Sequence, residues 1–302
     1  MKYHFKREAF KLLKITKRLH KSRKDIIKNL NFKNILLKFV LILYAIIQVY
    51  PLIWLILFSF KTNSEIFGDN VIGLPKKLMW QNYKDAFFNG NIGLYFTNSL
   101  LVSSITIIVS GILAAMVSYA VMRMKWKCSK IVLNIFLLGL MLPNHAALLP
   151  LFIIFKNFKI LSSYLALILP YIGYSLPMAI LILTGFLHTI PADLEEAAFI
   201  DGCSVYKVFL LIVMPLLRNA MVTISIFTFL LAWNEFVFAF TFISKNQFKT
   251  ITAGVLSMVG KYITNWGAIG AGMVIATLPT ILVYIFMSSQ VQKSLLAGSI
   301  KA

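Results

Sequence analysis

Six predominantly apolar stretches, at about 35–60, 95–121, 131–155, 164–187, 218–243 and 267–290, dominate this sequence. Each exceeds the roughly 20 residues a helix needs to cross a hydrocarbon core about 30 Å thick. No water is available there, so the backbone must satisfy its own hydrogen bonds, which a helix does within itself. The sequence therefore predicts an all-α, polytopic membrane bundle of six transmembrane helices, with little chain left for a soluble domain. Composition agrees: 59% of the 302 residues are hydrophobic, 13% are charged, and the mean hydropathy is +0.82. The first stretch runs longer than the ~7–15-residue core of a secretory signal and reads as an anchor that stays in place.

A formal net charge of +20 raises nucleic acid as a partner, but the distribution argues otherwise. Residues 1–38 carry thirteen Lys and Arg against two acids, Glu8 and Asp25. With the N-terminus inside, twenty-one basic residues fall on that side and nine on the other, so the positive-inside rule places both termini in the cytoplasm. This divides the chain into a basic arm, 1–34, and a transmembrane domain, 35–302. The arm reads as a topology determinant lying on anionic membrane lipid, with nucleic-acid binding or a docking arm as the rival readings. The longest outside connection, 61–94, reads as an ordered loop acting as a lid or docking surface.

Chemistry is scarce. Two cysteines, Cys128 and Cys203, allow neither a disulfide framework nor a metal cluster. The stretch Gly254–Lys261 approaches a phosphate-binding loop but has one intervening residue too many and Tyr262 where Ser or Thr would hold magnesium. Nothing assembles into a nucleophile–base pair or a ligand set, so the chain is read as a non-enzyme without cofactor or metal.

The segment 188–217 differs in kind. Four of the ten acids, Asp193, Glu195, Glu196 and Asp201, fall within nine residues on the otherwise basic side of the membrane. Pro191 suits a helix start, with the acids near the positive end of the dipole. A first helix should run to about Ile200, Gly202 should supply a left-handed turn, and Ser204 should cap a second helix. That helix carries Val205, Val208, Phe209 and Ile212 at spacings of three and four, and Pro215 marks its end or a kink. The expected product is a helix–Gly–helix knuckle, about 189–217, projecting into the cytoplasm.

At these residues the sequence resembles the EAA loop of ABC-type importer permeases: Glu196, Ala197, Ala198, then Asp201 and Gly202, then Phe209, Ile212 and Pro215. Over nearly all of 35–302 it is similar to the carbohydrate-uptake, maltose-permease-like branch. The supporting pieces, in order, are Asn82–Tyr83, Asn98–Leu100, Met141–Pro143 with Pro150, Trp233–Phe236, Asn265–Gly267, Leu278–Pro279 and Gly298–Lys301. It departs at Asn219, where the family often has a second proline. The resemblance implies a pore-forming subunit that pairs with a second permease, a cytoplasmic ATPase dimer and an extracellular solute-binding protein. It also implies that the knuckle (Glu196, Ala197, Ala198, Asp201, Gly202, Phe209, Pro215) couples ATP-driven closure to alternating access for a sugar or related polar solute.

Other candidates carry two readings each. Asn144, Trp233 and Asn234 either line a polar, aromatic path for sugars or serve packing and the interfacial belt. Glu235, an ionisable residue within a span, is either functional or a hydrogen-bonded structural carboxylate. His145 is read as a kink-associated hydrogen bond or a proton relay. Gly267, Gly270, Gly272 and Ala276 read as close helix packing. A self-sufficient secondary transporter or channel is the alternative function; it calls for paired charges within spans, of which only Glu235 is present.

Overall fold

The computed structural model describes residues 32–68, 70–124, 126–260 and 264–299. Most of the basic arm 1–34, Lys125, Lys261, Tyr262 and the end of the Gly298–Lys301 motif lie outside the described residues. The long helices are α1 (Phe32–Ser59), α2 (Ile92–Arg123), α3 (Ser129–Leu138), α4 (Leu148–Asn157) and α5 (Leu165–Thr189). After these come α6 (Asp193–Ile200), α7 (Val205–Leu216), α8 (Arg218–Asn234), α9 (Val237–Phe242), α10 (Ile251–Leu256) and α11 (Trp266–Ser299). No strand occurs among the described residues, as an all-α bundle requires. Residues 1–56 and 57–302 form two compact units, the first described as α1 up to Ile56.

Four helices are by themselves long and apolar enough to cross a membrane: α1, α2, α5 and α11. Two further candidates are bent pairs, Ser129–Met141 with Asn144–Asn157 at 96° and Val205–Leu216 with Arg218–Asn234 at 74°. The expectation of one continuous helix over 131–155 is thereby corrected. Pro143 has no N–H and crowds the residue before it, so Leu142 turns extended (ψ 126°) and the helix stops. A 3₁₀ turn, Asn144–Ala147, then redirects the chain into α4, where Pro150 occupies the first turn and no amide is needed. The expected fifth span, 218–243, is likewise two helices, α8 and α9, separated at Glu235, whose backbone is extended (ψ 128°).

Helix α2 packs along α5 and α8 through small residues. Ser99, Ser103, Thr106, Ser110, Ala114 and Ser118 are buried on one face at spacings of three and four, letting the backbones approach closely. Two hydroxyls in this apolar interior bond back to their own helices, Thr106 Oγ1 to the Val102 carbonyl (2.8 Å) and Thr184 Oγ1 to that of Ile180 (2.8 Å). The core below is formed by Ala114, Ala115, Tyr119, Ile180, Leu183, Leu187, Val208, Val213 and Leu217, so the knuckle's base belongs to it.

At the opposite end, amides of two of the sequence motifs tie loops to helices. Asn98 donates to the carbonyls of Gln247 and Lys249 (2.9 Å each) and accepts from Tyr164 Oη (2.8 Å). Asn82 donates to the carbonyls of Ser59 and Lys61 (2.9 Å each). Gly267 lies against this second junction, where an added Cβ would fall 2.5 Å from the Lys61 carbonyl oxygen and collide with the Asn82 amide. Gly270 abuts Phe58 and Ser59, and Gly272 abuts Ile92. We expect Gly267→Ala to lower unfolding free energy by about 1–3 kcal/mol, since backbone and a bonded amide must both yield, as thermal unfolding in detergent would measure.

In the loop 61–94, Thr62 and Glu65 form a capping box on the one-turn helix Asn63–Ile66. The Glu65 carboxylate also accepts from the Lys76 amide (2.7 Å) and the Thr62 amide (3.2 Å). Those bonds, that of Lys76 foremost, hold its pKa below the ordinary 4.5. A depressed carboxylate contributes order above its unfolded value and loses it as pH falls. Amide-exchange protection at Lys76, corrected for intrinsic rate, should therefore hold above pH 4.5 and decline below it, and Glu65→Gln should abolish that dependence.

Candidate functional site

The chain between α5 and α8 folds as a knuckle of two short helices. Asp193, Glu195 and Glu196 fill the first turn of α6, where unpaired amides favour negative charge. Its other end closes through two bonds, Gly202 N–H to the Phe199 carbonyl (3.0 Å) and Cys203 N–H to the Ala198 carbonyl (2.9 Å). This Schellman pattern needs a left-handed residue between them, and Gly202 supplies φ +80°. No atom lies within 4 Å of a Cβ placed there, so only backbone strain, not space, demands glycine. Ser204 has the extended backbone of a cap but its hydroxyl makes no capping bond, correcting that expectation.

The knuckle has two faces. Glu195, Ala198, Val208 and Val213 are buried against the bundle. Glu196, Ala197, Asp201, Gly202 and Pro215 are exposed, together with apolar side chains that have no business in water: Ile200 is 86%, Tyr206 80% and Leu211 71% exposed. Of the two alanines, Ala198 packs inward and only Ala197 faces out. Phe209 is half-buried, its ring 5.3 Å from that of Tyr119 on α2. A bend of 74° at Leu217 then sends α8 away from α7.

Beneath the knuckle lies Arg123, which charge counting treats only as a topology marker. Its Nη2 donates to the carbonyls of Leu187 (3.0 Å) and Ile190 (2.6 Å) at the end of α5, the first of which also accepts the Ile190 amide (3.2 Å). Its Nε sits 2.8 Å from Glu195 Oε1, a charge contact whose geometry falls short of an aligned hydrogen bond. Both side chains are largely shielded, 17% and 5% exposed.

The second set of candidates gathers around the breaks at Pro143 and Glu235. The Glu235 carboxylate accepts from Tyr171 Oη (2.7 Å) and from the amides of Phe238 (2.9 Å) and Ala239 (3.2 Å), so it opens α9 as a capping group. Its carbonyl accepts from Thr252 Oγ1 (2.8 Å). His145 is 3.9 Å from the same carboxylate, exposed, and stacked on Phe238 at 5.8 Å. Asn144 offers its carbonyl to Tyr174 Oη (2.9 Å), and Asn234 donates to Leu230 within its own helix (2.9 Å); both residues are exposed. Trp233 is not available to a solute: it is 1% exposed, donates from Nε1 to the Ala276 carbonyl (3.0 Å) and packs between Phe96 and Phe229. The structure thus joins Asn144, His145 and Glu235 and sets Trp233 apart.

The model of the "Binding-protein-dependent transport system inner membrane component" family matches residues 107–295, from the middle of α2 through the knuckle and into α11. The chain belongs to this family. As an inner membrane component of such a system it is a multi-pass transport permease. It is 34% identical over 261 residues to a probable ABC transporter permease protein, YurM, of Bacillus subtilis (strain 168), covering 86% of each chain. It is 30% identical to AmyC, a probable starch degradation products transport system permease protein of Thermoanaerobacterium thermosulfurigenes, covering 91% of this chain and 99% of that one. The fold is similar to a chain in the crystal structure of a bacterial ABC transporter involved in the import of the acidic polysaccharide alginate, with a TM-score of 0.74 and 17% identity, covering 85% and 96%.

The permease's Glu235 carboxylate has three donors. Glu235→Gln would turn an N–H₂ toward one of them, and leaving a donor unmatched costs about 1–3 kcal/mol. We expect that loss in detergent unfolding for the purified protein.

Proposed function

We propose that this permease is one of two similar membrane subunits of an ATP-driven importer for a sugar or related polar solute. It works with a cytoplasmic ATPase dimer and an extracellular solute-binding protein, and both its termini are cytoplasmic. Family membership supports the transport role, and relatives such as the starch-product permease support the solute class. Hydrolysis of ATP falls to the partner subunits.

The observation that carries the reading is the outer face of the knuckle. Exposed acids, Glu196 and Asp201, are set among exposed Leu194, Phe199, Ile200, Tyr206 and Leu210. An apolar surface rimmed with one sign of charge, on a rigid turn, suits a groove with basic edges on a partner protein. Glu196, Ala197, Asp201 and Gly202 present that surface; Ala198 and Phe209 hold its shape from within, and Pro215 lies exposed near the end of α7. Closure of the ATPase pair would move the knuckle and switch access to the pore. Asn144 and Asn234, beside the helix breaks, then line the solute path, with Trp233 and Glu235 framing it from behind. A secondary transporter would need a free intramembrane charge, and the bonds around Glu235 weigh against that.

The test is purification of the tagged chain from its own membranes in mild detergent. An ATPase and a second multi-span protein should accompany the parent. Glu196→Lys should weaken ATPase retention about ten-fold or more, equivalent to ~1.4 kcal/mol. Gly202→Val, β-branched at a positive φ, should do likewise, while Gly202→Asn, which tolerates that conformation, should retain the ATPase. A chain that purifies alone and moves solute without ATP would overturn the proposal.

A further inference from the structure

Each end of the knuckle is gripped by the last turn of α2. Tyr119 and Arg123 are four residues apart and therefore on one face. Arg123 reaches Glu195 of α6, and the Tyr119 ring packs on Phe209 of α7.

What Arg123 spans is the joint itself. Helix α5 ends at Thr189 and α6 begins at Asp193, leaving Ile190, Pro191 and Ala192, with Ile190 extended (ψ 123°). Three linking residues with one in an extended conformation can hinge. The Arg123 guanidinium holds the carbonyl of Leu187 on the near side of that joint, that of Ile190 within it and the Glu195 carboxylate on the far side. A planar, permanently charged fork fixes both sides in register, which a lysine's single ammonium would not.

We propose that Arg123 and Tyr119 are positioning residues that lock the α5–α6 joint, so that the knuckle moves as one body with α2 and α5. The proposal rests on the docking role given above for the outer face. Without the lock, a push on the knuckle bends the joint and dissipates there. With it, the push displaces the membrane helices.

The experiment uses the assembled transporter purified with its ATPase, from a chain carrying Cys128→Ser and Cys203→Ser. Spin labels are placed at Met116→Cys on α2 and Lys207→Cys on α7, both exposed positions. Their separation is measured without nucleotide and after trapping with magnesium-ATP and vanadate. In the parent it should stay constant within about 2 Å on trapping, as for a packed rigid unit. In Arg123→Gln, and in the milder Glu195→Gln should the first fail to assemble, the ATPase should remain bound. The separation should then shift or split by more than about 5 Å, one turn of helix, on trapping. Arg123→Lys should fall between.

A parent whose separation changes on trapping, or a variant indistinguishable from the parent, overturns the lock. Loss of the ATPase from Arg123→Gln also overturns it, because the residue would then be building the docking face. Retention of the ATPase by Glu196→Lys is the separate result that defeats the docking role on which the lock depends.

Discussion

A helix that ends leaves its last four carbonyls and first four amides without partners, and in an apolar surrounding each unmet group costs several kcal/mol. This permease stops helices inside or at the edge of its bundle repeatedly, and at several of these stops a side chain takes up the open groups. Arg123 covers the carbonyls at the end of α5. Glu235 receives the first amides of α9, and Thr252 meets the carbonyl of Glu235 itself. Tyr174 answers the carbonyl of Asn144 after the break at Pro143. Asn98 and Asn82 do the same for the loops at the far end. The broken helices are therefore features with defined geometry, held by these side chains.

That constraint also explains what could be read in advance. The apolar stretches are visible because burial in lipid is a property of composition, and all six reappear as helices, two of them broken. The knuckle's first helix and its turn were legible because their determinants are local: Gly202 sits where the Schellman bonds require a positive φ, within five residues of its partners, whereas the expected cap bond of Ser204 is absent. The breaks were harder. Pro143 stops its helix, whereas Pro170 and Pro177 lie inside α5 and Pro279 inside α11 without stopping either. Proline alone does not decide the matter; the surroundings that accept a break do, and those are set by residues distant in sequence. Tyr171 lies 64 positions from Glu235, and Arg123 72 from Glu195. No periodicity links such pairs. Trp233 carried two readings, a sugar-stacking path and packing, and its buried indole fills a core position.

The run of acids in α6 shows how one short sequence serves both purposes. Consecutive residues on a helix point about 100° apart. Glu195 and Glu196, adjacent and chemically alike, therefore leave the backbone in different directions. Glu195 turns inward to Arg123 and is almost fully shielded; Glu196 turns outward and is exposed. A buried charge pair is a poor source of stability compared with well-packed hydrocarbon, because both ions must lose their water. Its advantage is directional. Hydrocarbon packed under the knuckle could slide, whereas a guanidinium fork bonded to two carbonyls and facing one carboxylate has a single fitting arrangement. That pair lies directly under the exposed acid, so under the proposed docking a force on Glu196 would be met within one residue by the contact that fixes α6 to α2 and α5. The doubling of the acid thus gives one carboxylate to the bundle and leaves its neighbour exposed at the surface.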